Sequence, residues 1–129
     1  MLEIFAKKFL YFPGCFTTSV TPQIVENYKK ILERLKINYF TLSELGCCGA
    51  LAYTNGYSKD FYDLKDKNTN ILDSGRVKLI VTNSGNCMQT FALNYGISVK
   101  HISQILVKYI NKFPVKYEEE ISIYDSPSL

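Results

Sequence analysis

Four cysteines stand in the chain, at positions 15, 47, 48 and 87, and two of them are adjacent. Thiols in such numbers can do three things. As thiolates they are the usual ligands of zinc and of iron–sulfur clusters, and four matches the ligand count of either site. A nearby pair can carry electrons as dithiol and disulfide. A free cysteine can also be a small buried hydrophobe with no chemical duty. Cys47 and Cys48 add a vicinal disulfide, which closes a strained ring and ranks below the others. Gly14, Gly46 and Gly49 flank the cysteines and suit a backbone that must approach a ligand closely. Ser84 lies just before Cys87 and offers an oxygen, a harder donor than sulfur. As a nucleophile it lacks any base near it in sequence.

The elements that must position these residues can be read from periodicity. Phe9-Leu10-Tyr11-Phe12 is a short apolar run stopped by Pro13-Gly14, a buried strand and its turn. Thr21-Pro22 opens a helix, with Thr21 as its expected cap. Ile24, Tyr28, Ile31, Leu32 and Leu35 form its apolar face. Residues 38–43 alternate as a strand. Gly46-Cys47-Cys48-Gly49 is a loop or a turn into a helix. Ser58 is the expected cap of a helix carrying Phe61, Leu64, Ile71 and Leu72 and ending near Gly75. Residues 78–82, with an unbroken apolar centre, predict a strand buried on both faces, which favours a parallel sheet. Ser84-Gly85-Asn86 reads as a turn, and residues 87–94 as a short helix ending at Gly96, with Phe91 and Tyr95 paired. Ile97 and Val99 mark a brief strand. Ser103 is the expected cap of a helix bearing Ile105, Leu106, Tyr109, Ile110 and Phe113, stopped by Pro114. Residues 121–124 read as a last strand.

Alternating strands and helices predict an α/β fold of three layers, a small, mostly parallel sheet flanked by helices in a single Rossmann-like module. Sites in such sheets form at the carboxyl ends of strands. Cys15 follows the first strand, Cys47 and Cys48 the second, and Cys87 the third. Strand order alone therefore expects all the thiols to converge on one rim.

Composition narrows the function classes. A chain of 129 residues, 47% hydrophobic, is one domain with a core of its own. A net charge of +3 from 15 basic and 12 acidic residues is too mild for a nucleic-acid surface. No apolar run is long enough to span a membrane. Residues 1–10 mix Glu3, Lys7 and Lys8 into their apolar stretch and read as no secretory signal. The expected compartment is cytoplasmic and reducing, where clustered cysteines point to metal binding or thiol chemistry rather than disulfides.

These motifs resemble the cysteine-rich CCG domain, found in two copies in the disulfide-reducing component of heterodisulfide reductase. It also occurs in iron–sulfur subunits of lactate-utilisation, glycolate oxidase and anaerobic glycerol-3-phosphate dehydrogenase systems. Tyr11-Phe12-Pro13-Gly14-Cys15, Cys47-Cys48-Gly49 and Ser84-Gly85-Asn86-Cys87 match its three motif elements in order and spacing, and residues 99–106 resemble the segment that follows. The resemblance implies an electron-transfer or oxidoreductase module in a multi-subunit complex, with Cys15, Cys47, Cys48 and Cys87 as ligands of a non-cubane [4Fe-4S] cluster and Ser84 beside them. It implies partner subunits carrying flavin or further iron–sulfur centres, a disulfide or quinone-linked acceptor, and membrane association only through those partners. One position departs from the pattern: Ser84 stands where the third motif has its first cysteine. The four remaining thiols also suit zinc, and a third outcome is a structural, subunit-docking module without cofactor. Residues 1–120 make up the module. Residues 121–129 read as a tail or as the opening of a second copy, with Ser128 at its cysteine position.

The remaining features carry less. His101, the single histidine, reads as a structural residue at a strand-to-helix junction. Tyr53, Tyr57 and Tyr62 follow the cysteine turn and read as packing and surface contact. Lys65-Asp66-Lys67 and Glu118-Glu119-Glu120 read as solvated surface. No phosphate-binding glycine loop is present.

Overall fold

The computed structural model describes residues 8–114 and 116–124. Four parallel strands form one sheet, β1 (Phe9–Phe12), β2 (Tyr39–Phe40), β3 (Leu79–Thr82) and β4 (Ser98–His101), in the order β2-β1-β3-β4. Registers run Leu10 to Phe40 and to Ile80, and Ile80 to Val99. The sheet is parallel throughout. β1 is buried along its whole length and β3 over its last three residues, which explains their unbroken apolar runs.

The helices are α1 (Cys15–Val20), α2 (Pro22–Arg34), α3 (Ala50–Thr54), α4 (Ser58–Ser74), α5 (Gly85–Thr90) and α6 (Ile102–Leu106). A π-helical turn (Phe91–Tyr95) extends α5, and a 3-10 turn (Val107–Lys112) extends α6. The chain moves from β1 outward to β2, then back across β1 to β3 and on to β4. Right-handed crossovers on that path put the helices before and after the reversal on opposite faces. The core divides accordingly. Leu10, Phe12 and Ile80 pack with Leu72 of α4, Phe91, Cys48 and Cys87 on one face. Phe9, Tyr11 and Val81 pack with Val25 and Leu32 of α2 and with Ile102 and Ile105 on the other. The reversal falls between β1 and β3, and sites gather at the carboxyl ends of strands flanking such a reversal.

Local signals were overruled at several points. The turn after β1 is short, and Cys15 already opens a helix. Thr21 forms no side-chain cap; its hydroxyl donates back to the Thr17 carbonyl at 3.3 Å. Val25 is buried in α2 while Ile24 is exposed, although Tyr28, Leu32 and Leu35 of the expected face do pack on the core. The strand expected over residues 38–43 shrinks to Tyr39–Phe40. Ser58 stands inside α4 and caps nothing. Ser103 is not the cap of α6 either: His101 is, its Nδ1 accepting from the Ser103 amide while its own amide donates to Gln104 Oε1. The structural role expected for His101 is therefore what it has. Ile110 and Phe113 are exposed rather than packed. Residues 121–124 are irregular and exposed instead of forming a strand, because no sheet edge pairs with them. The reading of residues 125–129, Ser128 included, lies outside the described residues.

Candidate functional site

Each cysteine owes its place to a strand end. β1 stops at Phe12, and Gly14 turns the chain with φ +88°, putting Cys15 at the first position of α1. A Cβ on Gly14 would lie 3.2 Å from Cys87 Sγ and 3.7 Å from Ser84 Cβ. Glycine is thus what allows the turn after β1 to lie against the turn after β3. Gly49 does the equivalent after β2, at φ +89°, where a Cβ would meet the Phe61 ring at 2.8 Å. It lets the Cys47-Cys48 turn settle onto α4.

Cys87 is set by Ser84. β3 ends at Thr82, and Ser84 caps α5, its Oγ accepting the Cys87 amide at 3.3 Å. Ser84-Gly85-Asn86 is therefore a helix start rather than a free turn. At a capping position a serine is the ordinary residue. Ser84 lines the same cavity as the cysteines.

All four thiols are free and line one cavity of about 470 Å³. They meet as two pairs. Cys48 and Cys87 are buried, 2% and 6% exposed, with sulfurs 3.1 Å apart. Cys15, which is exposed, and the half-buried Cys47 have sulfurs 3.6 Å apart. The sequence neighbours Cys47 and Cys48 point into different pairs, so the vicinal disulfide is not formed. Cys48 donates to Cys87. That bond, followed by burial, raises the Cys48 thiol well above its ordinary value, and the same bond, helped by Ser84, lowers Cys87. Cys15 is raised by partial burial and by its bond to Cys47. The Gly49 amide donates to Cys47 Sγ at 3.4 Å.

None of the cavity-lining side chains carries a formal charge. Its exposed mouth carries three apolar side chains, Phe16, Leu51 and Leu93, each 70% exposed or more, beside the polar Thr54, Asn86 and Gln89. Tyr53 reaches the cavity as well; Tyr57 and Tyr62 do not line it.

In kind, this donor set fits a thiophilic metal or an iron–sulfur cluster: thiols, an amide aimed at sulfur and no competing charge. In a tetrahedral thiolate shell, metal–sulfur bonds of about 2.3 Å set sulfurs about 3.8 Å apart. The outer pair is close to that spacing and the inner pair is tighter. Among the described residues no three cysteine, histidine or acidic side chains converge on one metal position. A single centre would have to draw both pairs together.

Two residues that the sequence did not single out for the site support the cysteine turn from behind. Asn68 of α4 is 1% exposed, and its Nδ2 donates to the Cys47 carbonyl at 2.7 Å and to the Tyr95 hydroxyl at 3.1 Å. The Tyr95 hydroxyl donates in turn to the Cys48 carbonyl at 3.0 Å. Phe61, Leu64, Asn68 and Leu72 share one helical stripe, so a polar residue inside an apolar face was the available clue. A second network joins Tyr11 to Asn83 at 2.9 Å and Asn83 to Thr17 at 3.1 Å, tying β1, β3 and α1 together beside the site.

The family model described as CCG, a cysteine-rich domain, matches residues 9–92, well over half of the chain. No curated protein and no solved structure matches it.

Proposed function

The chain belongs to the CCG cysteine-rich domain family, and from that premise we propose that it is an electron-transfer module whose cysteines hold an iron–sulfur centre, as in the heterodisulfide reductase type of complex. The observation that carries this reading is the meeting of four thiols from three strand ends around one uncharged cavity. Cys15, Cys47, Cys48 and Cys87 would be the ligands. When bound, the centre would supply one-electron chemistry at sulfur-ligated iron. The chain's own part is to bury Cys48 and Cys87, to direct amides at sulfur and to keep charge away, which are the features that tune such a centre. A module of this size cannot house a full redox chain. Partner subunits with flavin or further clusters complete it, and the exposed Phe16, Leu51 and Leu93 at the cavity mouth suit a surface that a partner covers.

The employment of Ser84 as a helix cap favours a second reading, a four-thiolate zinc site in a structural or subunit-docking module. Its hydroxyl is already committed to the Cys87 amide. Purification without oxygen, followed by a visible spectrum and assays for iron, sulfide and zinc, separates the two. A brown protein with iron and sulfide is the expected result. A colourless protein with one zinc per chain would replace the first reading by the second. Folded protein that takes up neither would overturn both.

A further inference from the structure

We propose that Asn68 and Tyr95 are positioning residues, a two-membered clamp that holds the Cys47-Cys48 backbone so that the adjacent thiols serve opposite pairs. The function of that placement rests on the metal-centre reading above; the clamp itself does not.

Consecutive residues in an extended or turning backbone point in different directions, but nothing in a loop keeps them there. Here the carbonyls of both cysteines are taken by side chains from elsewhere in the fold. Asn68 Nδ2 bonds Cys47 O at 2.7 Å, and Tyr95, held by the same Nδ2, bonds Cys48 O at 3.0 Å. The two peptide planes on either side of the Cys48 Cα are thereby fixed. Cys48 Sγ is left facing Cys87, and Cys47 Sγ faces Cys15.

Two observations set this apart from ordinary core polarity. Asn68 keeps its Oδ1 buried with no hydrogen-bond partner among the described residues, an unfavourable arrangement that a leucine in the same stripe would avoid. Its amide is explained by the two bonds it donates. Tyr95, for its part, closes the π-helical turn after α5, and such wide turns gather at functional positions. Its ring packs on Phe91 with centroids 4.8 Å apart, so the ring is anchored independently of the hydroxyl.

The test is site-resolved alkylation of the reduced, metal-free full chain, read by mass spectrometry, in wild type, Tyr95→Phe and Asn68→Leu. A buried thiol reacts through local opening, so its rate reports how firmly its own segment is held. Cys87, whose backbone is held by the Ser84 cap and bonded by neither Asn68 nor Tyr95, is the internal reference. Tyr95→Phe keeps the ring and removes one bond. It is expected to speed Cys48 about fivefold relative to Cys87, the factor for one buried hydrogen bond. Asn68→Leu removes the bond to the Cys47 carbonyl and the one that holds the Tyr95 hydroxyl, leaving the Tyr95 bond to Cys48 unsupported, and is expected to speed Cys47 and Cys48 together relative to Cys87. An unchanged Cys48:Cys87 ratio in both variants, or a rise of all thiols together with a lowered melting temperature, would overturn the clamp. A parallel titration with Co(II), followed by thiolate-to-cobalt charge-transfer absorption, is expected to show weaker uptake by Tyr95→Phe at unchanged stoichiometry. Wild-type protein that takes up no Co(II) would count against the metal-centre reading, while the alkylation ratio still decides the clamp.

Discussion

The two faces of the sheet are built from alternate residues of the same strands, yet they are finished differently. On the face holding α2 and α6, the core is aliphatic and aromatic, and hydrogen bonds from Tyr11 through Asn83 to Thr17 close its carboxyl rim. On the face holding α4 and α5, the core runs without a break from Leu10, Phe12 and Ile80 through Phe91 into Cys48 and Cys87. The inner thiol pair therefore belongs both to the core and to the candidate site. The outer pair, the exposed Cys15 and the half-buried Cys47, lies outside that core. The difference teaches that loss of a cysteine should read differently depending on which pair it leaves.

The largest effects come from deleting rings or branched chains at the centre of each face. Phe91 is 0% exposed and packs edge-to-face on Phe12 at 5.2 Å. Phe91→Ala is expected to cost about 3–5 kcal/mol, and Leu32→Ala on the opposite face about 2–5 kcal/mol, by urea unfolding. Only the former should also loosen Cys48 and Cys87 to alkylation under native conditions. Equal loosening by both variants would erase the distinction between the faces.

Next is Gly49→Ala, which strains a φ of +89° and drives a Cβ to 2.8 Å from Phe61. A cost of about 1–3 kcal/mol is expected, together with impaired metal uptake. A neutral result would mean that the cysteine turn is held less firmly than the geometry shows.

The pairs themselves sharpen the comparison. Cys48→Ser places a hydroxyl in a site 2% exposed and should lower the stability of metal-free protein by about 1–3 kcal/mol, whereas exposed Cys15→Ser should stay within about 0.5 kcal/mol. Both should abolish full metal loading if all four thiols are ligands. Ser84→Ala should cost about 1 kcal/mol through the lost cap of α5 and leave metal content unchanged, whereas a ligand role for Ser84 would lower it.

The smallest effect belongs to the face without thiols. Burial, followed by its bond to Glu33, pushes Tyr39 from 10.0 up to about 12. A folded value above the unfolded one adds stability that is complete below pH 10 and is lost as pH rises toward 12. Alkaline unfolding in that window should be blunted in Tyr39→Phe by a fraction of a kcal/mol, since the ring is partly solvated. An unchanged alkaline limb would remove Tyr39 from the account.

Much of this was legible in the chain itself. The runs at 9–12 and 79–81 are apolar without interruption, and only burial on both sides explains that, so a parallel sheet followed and with it the meeting of strand ends. Cysteines at 15, 47–48 and 87 had to come to one rim because each follows a strand. Helix starts were less legible. Ser58 and Ser103 are good capping residues by type, but Tyr57 and His101 occupy those positions, since the start of a helix is decided by where the preceding element, α3 or β4, lets go. Ser84 has the composition of a turn, and its amide partner is visible only once α5 is in place.

Local pattern, then, determined that the sulfurs share an edge of the sheet, because side-chain periodicity reports burial and burial reports strand order. Tertiary structure alone decided that Cys48 belongs with Cys87 and Cys47 with Cys15, that Asn68 and Tyr95 stand behind them, and that one pair is core while the other is surface. Those outcomes depend on how far helices settle onto the sheet and on how closely glycine lets two turns approach, distances between segments remote in sequence that no local periodicity encodes.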